Sequence, residues 1–225
     1  DASLGVWLRG PRSEQTLRDA GYIGRLDVIG DPALAIARPD DVERRDGRVV
    51  ISALDTGGTC WGGDDGAVVS ALAGVVAHLV DEGRDVALLS AHPKDDRVAI
   101  DVMRAAGHPG LEMISAYRGV DVGVAAIAEA ALVIAERLHA TVLAAATGTP
   151  FVAIEYRPKV RDFAESVGAG EWVLRTDELR PDVLVERAGD VLADRSRQQT
   201  VADAVEGFRS RLRTVSEELR DALEG

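Results

Sequence analysis

The chain has 225 residues, 46% of them hydrophobic but only 4% aromatic, and a formal net charge of −12. That length holds one large α/β domain or a domain and a half, with a core of Ala, Val, Leu and Ile. The acidic balance excludes a nucleic-acid binder with a basic stripe, and no apolar run is long enough for a membrane-spanning helix. The lone cysteine, Cys60, excludes an internal disulfide and points to a reducing, cytoplasmic setting.

Leu4–Leu8 (LGVWL) reads as a short strand ended by Arg9-Gly10-Pro11. Pro11 at a first helical turn, with Ser13 as an alternative cap, starts a helix that Gly21 ends. Leu26–Ile29 is a second strand, closing on Gly30-Asp31-Pro32. This β-α-β piece is too small to bury its own faces, and residues 1–40 read as the tail of another Rossmann-like domain. The charged stretch Pro39–Gly47 follows, with residues 41–47 as linker.

The main domain is expected over residues 48–225. Arg48–Leu54 is a strand and Asp55–Gly66 a glycine-rich loop. Ala67–Glu82 carries Val68, Leu72, Val75, Val76 and Leu79 at helical spacing, with Gly83 at its end. Strands at Asp85–Ser90, Leu111–Ser115, Leu132–Ala135 and Phe151–Ile154 alternate with helices at Lys94–Gly107, Val122–Ala130 and His139–Thr147. Continuous apolar strands separated by helices predict an α/β, Rossmann-like parallel sheet with helices on both faces. Pro181–Asp194 and a charge-rich run from Ser196 to Leu223 close the chain, the latter crossing the surface or reaching back to a neighbouring domain.

Function concentrates in Leu132–Gly168. Arg137, Leu138 and His139 sit on a strand-to-helix corner, and Arg157, Lys159 and Arg161 follow the next strand. In a parallel sheet both corners lie at carboxyl strand ends, where such sheets bind ligands. Arg offers a two-pronged clamp for carboxylate or phosphate and Lys a point charge. His139 at a helix start is favoured as a neutral base or hydrogen-bond partner until an anion arrives beside Arg137. In the loop, Gly57 and Gly58 allow close backbone approach, and Trp61 suits stacking on a sugar ring. The loop is neither a dinucleotide fingerprint nor a Walker A loop, and Asp64 and Asp65 suit helix capping better than phosphate binding. No metal-ligand spacing and no nucleophile elbow is present.

Taken together, Ala135-Glu136-Arg137-Leu138-His139-Ala140, Ala144–Val152 (AAATGTPFV) and Ile154–Phe163 (IEYRPKVRDF) resemble the polysaccharide pyruvyl transferase family. Leu8–Ser13 (LRGPRS) and the Trp61-Gly62-Gly63-Asp64 segment match the family's order. The resemblance implies the C-terminal half of a fold like the two-domain GT-B glycosyltransferases. It also implies transfer of pyruvate from phosphoenolpyruvate to a sugar of an envelope polysaccharide or its lipid-linked precursor, forming a ketal. It places Arg137, Leu138 and His139 at the donor corner, matches Arg9 to a donor-binding arginine and matches Lys159 to the family's loop lysine. The chemistry of a donor with a carboxylate and a phosphate suits a clamp of Arg9, Arg137, Arg157 and Lys159, with His139 as the proton carrier. Arg157, Gly57, Gly58 and Trp61 complete the expected substrate-binding set. No cofactor is implied. The resemblance also implies a complete first Rossmann-like domain before the position of Leu4, which supplies much of the acceptor site. A lipid-linked acceptor leaves open peripheral membrane association, and an uncovered cleft leaves open a homodimer. Two other readings remain. One is a nucleotide-sugar glycosyltransferase with Glu155 on a ribose; the other is a non-catalytic half that binds a partner.

Overall fold

The computed structural model describes residues 5–58 and 64–224. Its main sheet has six strands, all parallel: β3 (Arg45–Ser52), β4 (Asp85–Ser90), β5 (Glu112–Ser115), β6 (Ala130–Ala135), β7 (Phe151–Glu155) and β8 (Val173–Arg175). Their order across the sheet is β5-β4-β3-β6-β7-β8. The chain therefore winds outward from β3 in one direction and from β6 in the other, and the order reverses between those two strands. Helices α2 (Asp65–Asp81), α3 (Asp95–Ala105) and α7 (Pro181–Ala193) pack together on one face. Helices α4 (Val120–Glu129), α5 (Leu138–Ala146) and α6 (Pro158–Ser166) cover the other. That cover explains why β7 is buried along its whole length and reads as the unbroken apolar run FVAI.

Two element edges differ from the sequence expectation. β3 begins at Arg45 rather than Arg48, inside the charged stretch. Strand backbone is tolerated there because Arg45 and Arg48 both bind Asp85, and Arg48 also reaches Glu112. A sixth strand, β8, follows the short turn holding Trp172, whose ring meets Phe151 edge-on at 5.3 Å. At three residues it carries too short a pattern to stand out in the sequence.

The N-terminal piece is a two-stranded parallel ribbon, β1 (Val6–Leu8) with β2 (Leu26–Val28), joined by α1 (Pro11–Asp19). It leans on the main sheet at two places. Gly10 lies against Asp162 of α6 with no room for a side chain, and Asp162 accepts the Arg12 amide and the Ser13 hydroxyl at 2.7 and 2.5 Å. The second place is α8 (Arg195–Glu224), 30 residues long. It buries Val201, Val205 and Phe208 and runs back across the molecule to the N-terminal piece. Arg209 of α8 donates to the carbonyls of Leu34 and Ile36 at 2.9 Å and of Ala146 at 2.8 Å. Among the described residues no helix is long and apolar enough to cross a membrane.

Candidate functional site

The strand order reverses between β3 and β6, and open parallel sheets hold ligands in the crevice outside the carboxyl strand ends at such a reversal. On the β6 side the apolar run ends in Glu136 and Arg137, and α5 begins at Leu138. Arg137 has extended backbone and caps the helix, which aims the first amides of α5 at the crevice. Its guanidinium forms a two-pronged bond to Asp95, Nε to Oδ2 at 2.8 Å and Nη2 to Oδ1 at 2.7 Å. Asp95 is fully buried in the first turn of α3 and also accepts the Asp55 amide at 3.1 Å. One carboxylate thus holds together α3, the β3 exit and the Arg137 corner. Nε and Nη2 are committed to Asp95, the guanidinium is part-exposed, and Nη1 has no hydrogen bond among the described residues.

Glu136 lies below this pair. It is buried, and its Oε2 accepts the Leu54 amide at 2.9 Å, bridging the two strand ends. Burial pushes its pKa up to about 8, with Asp65 and Asp95 adding to the rise and the Leu54 amide and Arg137 opposing it. A carboxyl with that value is largely protonated at pH 7.

His139, one residue into α5, is the exposed member of the corner, with 67% of its side chain accessible. Its Nε2 is 4.0 Å from Oδ2 of Asp31, a buried carboxylate that lies 2.8 Å from Nε of Arg9. The Arg9 contact is a close charge pair rather than a hydrogen bond, because neither atom meets the other in line. The N-terminal ribbon therefore delivers Arg9 and Asp31 to the histidine. In the sequence Asp31 reads as a turn residue, which it also is, accepting the Ala33 amide at 3.0 Å.

The remaining candidates are distributed unevenly. Leu138 is buried in the core, so only its backbone amide is available to a ligand. Arg157 and Lys159 are exposed at the start of α6, and Lys159 Nζ sits 5.1 Å above the Tyr156 ring. Arg161 turns away from them and binds Glu155 at 2.6 Å. Gly57 and Gly58 are exposed with φ of +61° and +77°, the left-handed region that favours glycine. Trp61 lies outside the described residues. Glu136 and Asp95 were not singled out by sequence reasoning; the available signal was a carboxylate directly following a buried apolar strand. Among the described residues no group of His, Cys, Asp and Glu is arranged to hold a metal ion. A separate cleft of about 840 Å³ runs beside β8 between Arg12, Glu155, Arg175 and Arg187. It lies away from the β3–β6 reversal, and its Arg12, Arg161 and Arg175 are already paired with carboxylates. The reversal, where strand topology and a held arginine coincide, is the candidate site.

The family model described as Polysaccharide pyruvyl transferase matches residues 2–158. The chain belongs to that family. The matched span includes the N-terminal ribbon, the glycine-rich loop, the Arg137-Leu138-His139 corner and the start of α6. No curated protein matches this pyruvyl transferase family member by sequence. Its fold is shared with GT-B glycosyltransferases. A calicheamicin glycosyltransferase aligns with TM-score 0.58 and 18% identity, over 100% of this chain and 53% of that one. The pneumococcal O-GlcNAc transferase aligns with TM-score 0.58 and 10% identity, over 97% and 45%. The Thermobaculum terrenum O-GlcNAc transferase aligns with TM-score 0.55 and 18% identity, over 97% and 44%. The chain spans about half the length of these structures.

Proposed function

We propose that this transferase moves the pyruvyl group of phosphoenolpyruvate onto two hydroxyls of a saccharide, an envelope polysaccharide or its precursor, forming a ketal. The observation that supports this reading best is the Arg137–His139 corner at the strand reversal, within the span that matches the family. Phosphoenolpyruvate carries a carboxylate and a phosphate. Arg137 Nη1, the first amides of α5, Arg9 and the exposed Arg157 and Lys159 supply positive charge and donors on one rim. Anion clamping of this kind positions the enol carbon and neutralises the leaving phosphate.

In this scheme a proton is delivered to C3, turning the methylene into a methyl group. A saccharide hydroxyl oxygen bonds to C2, the C2–O bond to phosphate breaks, and a second hydroxyl closes the ketal at C2. Of the two hydroxyl protons released, one restores the proton given to C3 and the other leaves with phosphate. His139 is assigned the proton transfer, being exposed on the corner with Asp31 4.0 Å behind it. Because the chain spans about half of its structural relatives, the acceptor's binding wall is assigned to the other half of such a fold.

The likeness to glycosyltransferases favours a second reading, a nucleotide-sugar donor with Glu155 on the ribose. Against it, Glu155 is buried and already bound by Arg161. Thermal melting with phosphoenolpyruvate and with uridine diphosphate separates the two: a shift with phosphoenolpyruvate alone is expected, and a shift with the nucleotide alone overturns the proposal.

A further inference from the structure

The carboxyl of Glu136 occupies the point where the two halves of the sheet part. Its Oε2 takes the Leu54 amide at 2.9 Å, and its own amide donates to the Ser52 carbonyl at 2.9 Å. The side chain therefore ties the β6 exit to the β3 exit, just ahead of the loop that carries Gly57 and Gly58. Only 1% of the residue is exposed, and its Oε1 has no hydrogen-bond partner among the described residues. An ionised carboxylate with one oxygen buried and unpartnered bears the desolvation cost of a charge, far more than a neutral carboxyl bears in the same place.

The neighbouring carboxylates act in the same direction as burial and the neighbouring guanidinium against it. Asp65 from α2 and Asp95 from α3 disfavour another negative charge, while Arg137 favours one. That guanidinium is already held by Asp95 at two points. Asp55, on the β3 exit, lies 3.6 Å from Arg97 of α3. With so little exposure Glu136 does not reach a substrate itself; whatever it does passes through the Leu54 amide and the Arg137–Asp95 pair.

We propose that Glu136 is a positioning residue of the donor site, whose neutral carboxyl pins the β3 exit to the Arg137 corner and keeps a further negative charge from the crevice floor, so that an anionic donor meets an arginine balanced by Asp95 alone. This rests on the phosphoenolpyruvate reading above. Two consequences follow from electrostatics. Ionisation of Glu136 in alkaline solution weakens the donor, and donor binding in turn favours the protonated carboxyl.

Calorimetric titration with phosphoenolpyruvate from pH 7 to 9.5 tests this on the wild type and on Glu136→Gln, which keeps an acceptor for the Leu54 amide and cannot ionise. The wild-type Kd is expected to weaken about tenfold across that range, and the Gln variant to match it at pH 7 and show a flatter profile. Identical profiles would overturn the role of Glu136 and leave the donor assignment standing. Absence of phosphoenolpyruvate binding to wild type at every pH would overturn the donor assignment and this inference together. A measurement needing no variant accompanies it: at pH 8, binding heats in two buffers of different ionisation enthalpy should reveal proton uptake. No uptake overturns the inference.

Discussion

Replacing Glu136 by glutamine should change how the protein's stability depends on pH, independently of any ligand. Burial first, then Asp65 and Asp95, raise this carboxyl from 4.5 to about 8 in the folded chain. Below pH 4.5 both folded and unfolded chains carry the proton, and the group makes no pH-dependent contribution. Between 4.5 and 8 the unfolded chain releases the proton and the folded chain keeps it, so stability falls as pH rises. Above the folded value the loss is complete. At 1.36 kcal/mol per unit, the full swing for this group is about 5 kcal/mol, an order-of-magnitude figure. Glutamine has the same shape and no proton to lose. Urea unfolding of both proteins at pH 5.5, 6.5, 7.5 and 8.5 reads the difference directly. The variant should gain on the wild type by about 1.4 kcal/mol per pH unit up to about pH 8, then level off. Two stability curves that run parallel across this window would refute a neutral buried Glu136.

Other outcomes follow from the same contacts. Asp95→Asn removes the charge that holds Arg137 at 2.7 and 2.8 Å and should cost about 3 kcal/mol in denaturant unfolding. A cost below about 0.5 kcal/mol would contradict that clamp. His139→Ala, at an exposed position, should leave stability within about 0.5 kcal/mol while turnover in a steady-state assay falls about a hundredfold or more. Unchanged turnover removes the histidine from proton transfer. Arg209→Ala deletes hydrogen bonds to Leu34, Ile36 and Ala146 and should destabilise by about 3 kcal/mol. Amide exchange should then speed up at Leu34 and Ile36, whose turn α8 holds; unchanged exchange there would show that Arg209 does not staple the ribbon.

The layered parallel sheet was legible because its strands are unbroken apolar runs and its helices end at glycines such as Gly83. The Arg137-Leu138-His139 corner was legible for the same reason: LVIA stops, a charged pair follows, and a small-residue helix begins. What escaped the sequence is pairing between distant residues. Asp95 looks like one more acid at the start of a helix, and only the packing of α3 beside the β3 exit brings it to Arg137. Asp31 looks like a turn residue until β1 and β2 carry it, with Arg9, to His139. Glu136 carries a visible anomaly, an acid at the end of a buried strand, yet its bond to Leu54 depends on β3 and β6 being neighbours across 82 positions. Arg161 shows the opposite error: its spacing groups it with Arg157 and Lys159, but the turn of α6 sends it to Glu155.

The central claim, that the β3–β6 crevice binds an anionic pyruvyl donor through Arg137, is tested most directly by calorimetric titration of wild type and Arg137→Met with phosphoenolpyruvate at pH 7. Saturable binding by the wild type is expected, with a loss of at least about tenfold in affinity in the variant, the scale of one charge-assisted bond. Equal affinity in the two proteins, or binding of uridine diphosphate with none of phosphoenolpyruvate, would contradict it.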